Sequence, residues 1–374
     1  MRVEPAVPPE RLAAIRAPLE AAGAQSVDAP LLQPLNLLLD LAGEAMRARL
    51  FVVQSEGGTE SCLRPDFTVA IAQQHVESTH VGGSYFYEGS AFRAAAGTDR
   101  PEEFVQIGLE YFMPGAIGWP DEALASLAWQ ASAAGGRTDL SLWLGDVALF
   151  GAFLDTLNLP QTLAARLKRM AGRPRLLGAE LARVGETPQA GTGKLAGLLA
   201  GLSETESAAL LEEVWLLAGV TPVGGRGPAE IAARLVRKAD AANAPALTAM
   251  QADAIRAFMA IDDTPTVALT RVRDLAGSKS RALMMALMAC ESRLGNLART
   301  VPPDAMRFTP ALGHAFDYYD GITFEVRSVA LGAERPVAVG GRYDGLLTRL
   351  GGNAGGRAVG CMVRPWRAWA GGAA

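Results

Sequence analysis

The 374-residue chain is poor in the residues that build disulfides and metal centres, with three cysteines (Cys62, Cys290, Cys361) and three histidines (His75, His80, His314). No two cysteines are close in sequence, which excludes a disulfide framework and any C-x-x-C zinc or redox site. Cysteine and histidine pairs at metal-ligand spacing are absent, so no metal site is expected. No apolar run reaches the ~18 residues of a membrane span. The start, MRVEPAVPPERL, lacks the apolar stretch of a secretory signal. Charge of one sign is also scarce: 35 Lys and Arg face 39 Asp and Glu, a net −4, without the basic surplus usual in nucleic-acid binders. The expectation is a soluble, cytoplasmic protein with no membrane and no nucleic-acid partner.

What the chain does have is an ordinary globular composition, 49% hydrophobic and 20% charged, and enough length for two or three structural units. Its first stretch is mixed α and β. Pro8-Pro9 precede a helical pattern from Glu10 to Ala22, Phe67–Val76 reads as a short helix, and Arg49–Val53, Ser84–Tyr87 and Leu140–Leu144 read as strands. The clearest strand is Val105–Met113, where Val105, Ile107, Leu109 and Tyr111 alternate with Gln106, Gly108 and Glu110. From Val147 to Arg299 the chain is rich in Ala, Leu, Arg and Glu, with capping-box spacing at Ser203 and Glu206, a helix-starting Pro228, and a stripe of Leu210, Leu211, Val214 and Leu217. After Pro303 strands return, at Ile322–Val326 and Val337–Val339. The predicted organisation is an α+β core from residues 1–150 and 300–374, with a mostly helical insertion over 151–299.

Two glycine-rich segments imitate phosphate-binding loops and fail on detail. Ala190–Leu195 has leucine where a P-loop needs a hydroxyl, and Pro188 stands in place of its first glycine. Gly224–Gly227 does not satisfy G-x-G-x-x-G after a strand. Both read as connections.

Four other segments carry possible ligand chemistry. Gln106 and Glu110 share one face of their strand, with Gly108 between them offering no side chain. Taken alone, that pattern suits a solvent-exposed sheet face better than a binding floor. Asp66 and Thr68 stand at a strand-to-helix junction, where helix capping is the plain alternative. Asp317-Tyr318-Tyr319-Asp320-Gly321 sets two phenols among carboxylates near a turn, which is also how buried aromatics are used. Gly340–Gly345 combines backbone freedom with Arg342, suiting either an anion cradle or a tight connection.

Together these segments resemble the histidyl-tRNA synthetases, a class II family. Leu63–Thr68 resembles the family's L-R-P-E-G-T, with Asp66 for its Glu and Phe67 for its Gly; Phe92-Arg93 and Phe104–Glu110 resemble motif 2. Phe316–Gly321 and Gly340–Leu346 resemble the two histidine-specific segments, and Gly360–Arg367 stands in the place of motif 3. The departures fall on the nucleotide side. His314 replaces an adenylate-forming arginine, and neutral imidazole lacks its permanent forked charge. Ala94-Ala95-Ala96 follow Arg93 where the family carries charged residues, and Arg364 stands where motif 3 has glycine. The chain stops soon after Arg367, short of an anticodon-binding domain.

This combination is similar to the regulatory subunits of ATP phosphoribosyltransferase in histidine biosynthesis. The resemblance implies a class II synthetase-like fold, an antiparallel sheet flanked by helices. It implies no catalytic residues and no cofactor, a dimer of this chain, and a short-form ATP phosphoribosyltransferase catalytic subunit as partner in a hetero-octamer. It further implies L-histidine as a regulatory ligand, held by Asp66, Thr68, Arg93, Gln106, Glu110, Tyr318 and Tyr319. The alternative is a histidine-activating enzyme, supported by Arg93 and Arg367; an RNA-binding module using the fold without chemistry is weaker still.

Overall fold

The computed structural model describes residues 1–57, 60–78, 80–95, 97–114, 121–171, 174–182, 184, 206, 209–210, 212–214, 247–277, 280–310, 312, 318–352 and 355–372. The glycine-rich 190–195 and 224–227, Pro228, Ser203, Leu211 and Leu217 lie outside the described residues, as do Ala96, His314, Phe316 and Asp317.

The chain divides into two compact units: Met1–Leu157 with Ala171–Pro174 and Ala257–Ala374, and Asn158–Met170 with Arg175–Arg256. In the first unit, α1 (Pro9–Glu20), β1 (Gln25–Ser26), β2 (Leu32–Pro34), α2 (Leu35–Ala42), β3 (Val52–Gln54) and β4 (Glu60–Leu63) lead to α3 (Thr68–Glu77). Then follow β5 (Gly83–Phe92), β6 (Glu103–Pro114), α4 (Asp121–Ala134), β7 (Leu140–Asp146) and α5 (Val147–Leu154). The second unit holds α6 (Gln161–Lys168), α7 (Pro174–Ala182) and most of α8 (Ala249–Met259). Leu163, Leu167, Leu177 and Leu181 are buried there, and Arg166 pairs with Glu180.

The chain is back in the first unit from Ala257, earlier than the expected end of the insertion at 299. The reason is packing. In α9 (Pro265–Ala276) and α10 (Arg281–Leu297), the apolar stripe of α10 (Leu283, Leu287, Cys290, Leu297) is buried, and α10 lies on α4 and α5. Local signals set the ends: Pro265 opens α9, Gly277 closes it at φ +54°, and Ser280 caps α10. The remaining elements are β8 (Met306–Phe308), β9 (Ile322–Ser328), β10 (Ala338–Arg342), α11 (Asp344–Arg349), β11 (Gly356–Val363) and α12 (Pro365–Ala368).

The main sheet has eight strands in the order β1-β5-β6-β11-β10-β9-β7-β8, and a small sheet has the order β2-β4-β3. The expected antiparallel sheet is in fact mixed. Its inner pairs are antiparallel, whereas β1 runs parallel to β5 and β8 parallel to β7. Both edge strands are far in sequence from their neighbours, the β1-to-β5 connection alone carrying the small sheet, α2 and α3, and parallel pairing requires such a crossover where a hairpin cannot supply it. The strand expected at Arg49–Val53 begins only at Val52, because Glu44–Arg49 forms a 3-10 turn. The run Glu-Ala-Met-Arg-Ala-Arg has little β propensity. One sheet face is covered by α4, which packs on β10 and β11 and against α1; α3 and α11 pack together on the other side, over β6 and β11.

Candidate functional site

The site begins with a row of residues that crosses the sheet in register: Tyr85, Glu110, Gly360, Gly341, Thr323 and Gly145. Residues of one row project to one face, so three glycines clear the surface beside Glu110. A Cβ at Gly360 would overlap Glu110 Oε2, and one at Gly341 would lie 2.8 Å from Tyr319 Cδ1. Two residues along the same face of β6, a Cβ at Gly108 would overlap the Tyr87 hydroxyl and the Cys361 carbonyl. These glycines let tyrosines and one carboxylate lie flat on the sheet.

Glu110 is 1% exposed. Thr68 Oγ1, at the start of α3, donates to its Oε1 at 2.6 Å, and the Tyr343 hydroxyl donates to its Oε2. Burial pushes its pKa up to about 8, against the hydroxyl hydrogen bonds from Thr68 and Tyr343; the Asp66 charge pushes the same way as burial. The carboxyl is therefore largely protonated at neutral pH, and a new hydrogen-bond donor or cation nearby would favour its ionisation. Tyr87 stacks on Phe67 at 4.5 Å, while Tyr318 lies 4.8 Å from Tyr319 and 5.5 Å edge-on from Tyr343.

Asp66 and Gln106 differ from Glu110 in one respect. Both are buried; neither Gln106 amide atom has a hydrogen-bond partner, and the Asp66 carboxylate draws on the Val69 and Thr68 backbone N–H groups without a close hydrogen bond to either. Burial raises the Asp66 pKa to about 6, opposed by the Arg93 charge and by the Val69 and Thr68 backbone N–H groups. Unpartnered polar atoms in an interior cost about 1–3 kcal/mol each, which a polar ligand or ordered water recovers. Arg93 is half-buried, donates from Nε to the Pro65 carbonyl at 2.9 Å, and stands over the Phe104 ring at 5.4 Å.

The structure thus brings Asp66, Thr68, Arg93, Gln106, Glu110, Tyr318 and Tyr319 into one neighbourhood of the first unit. Gln106 and Glu110 face the interior rather than solvent. Sequence reasoning left out Tyr343 and Tyr87. Tyr343 sits inside the G-G-R-Y-D-G segment, but its tie to Glu110 depends on β11 lying between β6 and β10. Arg342 is no anion cradle: it pairs with Asp121 and, at 3.1 Å, with Asp344. The Asp320 carboxylate accepts from the N–H groups of Asp344 and Gly345 at 3.1 and 2.6 Å, so this segment is a tight connection. Among the described residues, no group of three His, Cys, Asp or Glu is placed to hold a metal. His75 instead stacks on Phe112 and bonds Tyr85 Oη at 2.9 Å.

The family model described as histidyl-tRNA synthetase matches residues 10–217 and 228–365. A relative from Brucella anthropi, named ATP phosphoribosyltransferase regulatory subunit, is 34% identical over 349 residues, covering 90% of this chain and 90% of its own. One of the same name from Brucella ovis is 34% identical over 348 residues, again covering 90% of both chains. The chain belongs to the family of ATP phosphoribosyltransferase regulatory subunits. Its fold is that of the class II synthetases, a mixed sheet flanked by helices. A crystal structure described as ATP phosphoribosyltransferase regulatory subunit/histidyl-tRNA synthetase from Bacillus halodurans superposes with a TM-score of 0.60. That likeness is at 18% identity and covers 95% of this chain and 76% of the other.

Against that family background, the departures acquire shapes. Phe67, where the synthetases have glycine, is 1% exposed and fills the space between Tyr87 and the Arg64 guanidinium, 4.0 Å above its ring. Arg364 is 3% exposed. Its guanidinium lies 3.5 Å from the Phe104 ring centroid and donates to Glu4 Oε1 at 2.7 Å. Burial and then the charge of Arg367 hold its pKa well below the usual arginine value, and Glu4 opposes them. Arg367 donates to the Pro336 carbonyl at 2.9 Å, and burial pushes its pKa down to about 10. No helix among the described residues is long and apolar enough to cross a membrane.

Proposed function

We propose that this chain is a non-catalytic regulatory subunit that activates a short-form ATP phosphoribosyltransferase by association, and that its Glu110 pocket takes free L-histidine as the feedback signal. The observation that carries the ligand is the buried Gln106 amide, unpartnered and on the same strand face as Glu110, with the Asp66 carboxylate near Glu110 and lacking a close hydrogen bond. An amino acid supplies an ammonium for Asp66, with Thr68 and Gln106 completing the α-amino side. An imidazole N–H then meets Glu110 and Tyr319, with Tyr318 beside them, and Arg93 faces the carboxylate. The Gln106 amide and the Asp66 carboxylate gain partners in this way, and the groups already bonded within the chain share theirs. The names of the relatives support the regulatory role, and the Arg364 guanidinium over Phe104 supports the absence of nucleotide chemistry. The reading includes dimers of this chain, assembled with the catalytic chains into a cytoplasmic hetero-octamer.

The test is reconstitution. The purified chain is mixed with a short-form ATP phosphoribosyltransferase, and particle size and turnover are followed with and without L-histidine. The expected result is co-elution, a gain in turnover, and loss of that gain on adding histidine. A partner that associates yet turns over equally with and without this chain defeats the activation claim.

A further inference from the structure

The Glu110 pocket and helix α10 lie on opposite sides of the main sheet, and one dipeptide touches the elements of both. Arg342, the last residue of β10, pairs with Asp121, the first residue of α4, while Tyr343, which follows it and precedes α11, donates to Glu110 on the pocket face. Asp121 is shared: its second oxygen is 3.3 Å from Arg293 Nε, on α10. Arg293 in turn bonds Asp146 Oδ2 at 2.9 Å, and the other oxygen of Asp146 caps α5. Asp121 and Asp146 are both buried. α10 is thus seated on the first unit partly through two carboxylates, one of which Arg342 also holds.

We propose that the Arg342–Tyr343 dipeptide couples occupancy of the Glu110 pocket to the seating of α10. A ligand N–H that binds Glu110 takes an acceptor now engaged by the Tyr343 hydroxyl, so the ring must shift or share. Its backbone neighbour cannot stay indifferent. The Arg342 side chain is packed so closely on Gly321 that a Cβ there would lie 2.9 Å from Arg342 Cδ, and the Arg342 carbonyl accepts from the Asp320 N–H at 3.0 Å. When Arg342 moves, Asp121 redistributes between its two guanidiniums, and the hold on Arg293 changes. Coupling of this kind acts only through a difference in ligand affinity between the two arrangements. The identity of the ligand rests on the proposed function; the mechanical link does not.

A double-mutant cycle read by amide hydrogen exchange of residues 281–297 tests the link without any ligand. Tyr343→Phe removes the hydroxyl and is expected to change α10 exchange about fivefold, the range in which residue networks modulate coupling. In an Arg342→Gln background the same substitution should add nothing. Arg342→Lys, which keeps the charge, restores part of the response, and circular dichroism confirms folding of each variant. Should Arg342→Gln not fold, Arg293→Gln cuts the link at its far end and replaces it in the cycle. An unchanged α10 in Tyr343→Phe, or an equal change in both backgrounds, overturns the coupling. L-Histidine is then titrated into the wild type by calorimetry, with exchange measured at saturation. Binding heat without an α10 response overturns the coupling, and binding heat with one supports it. If no heat appears, the histidine reading of the pocket fails and the cycle alone decides the coupling.

Discussion

Glu110 and Gly360 face each other across the β6–β11 ladder, and the carboxylate occupies the space that any side chain at 360 would need. The pocket floor is therefore set by an absence of atoms on a neighbouring strand. Gly360→Ala is expected to displace Glu110 from Thr68 and Tyr343 and to destabilise the fold by about 1–3 kcal/mol through overpacking. Thermal unfolding checks the stability, and calorimetry should show histidine affinity reduced more than proportionally.

Glu110→Ala tests the ligand directly. Removing the acceptor leaves an imidazole N–H unpaired in a confined site, at a cost of ~1–3 kcal/mol, or roughly tenfold to hundredfold in affinity. Calorimetry on the folded variant, verified by circular dichroism, makes the comparison; equal affinity would place the histidine site elsewhere.

Acidity gives a third expectation. The Glu110 pKa is raised from 4.5 to about 8 by folding, so between those values the folded chain holds a proton that the unfolded chain has lost. Its stabilising protonation is complete below pH 4.5 and is lost as pH rises through about 8. Asp66 acts in the same sense between 3.8 and about 6. Glu110→Gln, neutral at all pH, should therefore gain in melting temperature relative to wild type as pH climbs from 5 to 8. A gap independent of pH sinks the assignment.

The chain alone is expected to give no histidine-dependent ATP–pyrophosphate exchange. Arg364 lies over Phe104 and is neutralised by Glu4, while Arg367 is engaged with a carbonyl. Placing arginine at His314 should not restore exchange, because Arg364 remains. Arg364→Gly should not restore it either, and should destabilise, since it removes the ion pair of the buried Glu4 carboxylate. Exchange above background at saturating histidine and Mg-ATP would favour the enzyme reading.

The fold class was legible because its signals are local or recur at short period. β6 and β9 announce themselves by alternation, and α9 by the proline that opens it. The shared face of Gln106, Gly108 and Glu110 follows from the same period of two. That the face is buried does not, since what covers it arrives from residues two hundred positions away in Tyr319 and Tyr343. The partner of Arg342 was equally hidden: Asp121 is an unremarkable acid at a helix start until the strand order brings β10 over α4. The return of the chain at Ala257 escaped notice because α9 and α10 have the same composition as the helices before them.

The place of β11 has a consequence for how the molecule is made. β11 spans Gly356–Val363 and lies between β6 and β10. During synthesis the two flanking strands are finished while the slot between them is empty, and both present unpaired edges. The main sheet closes only after Gly356–Val363 has been made. Contacts of such long sequence separation close slowly, and open edges invite pairing with other chains meanwhile. Glu110 meets Gly360, and Tyr343 meets Glu110, only after that last strand inserts. The pocket is therefore among the final features to assemble, and chains truncated before Gly356 should aggregate rather than fold with a smaller sheet.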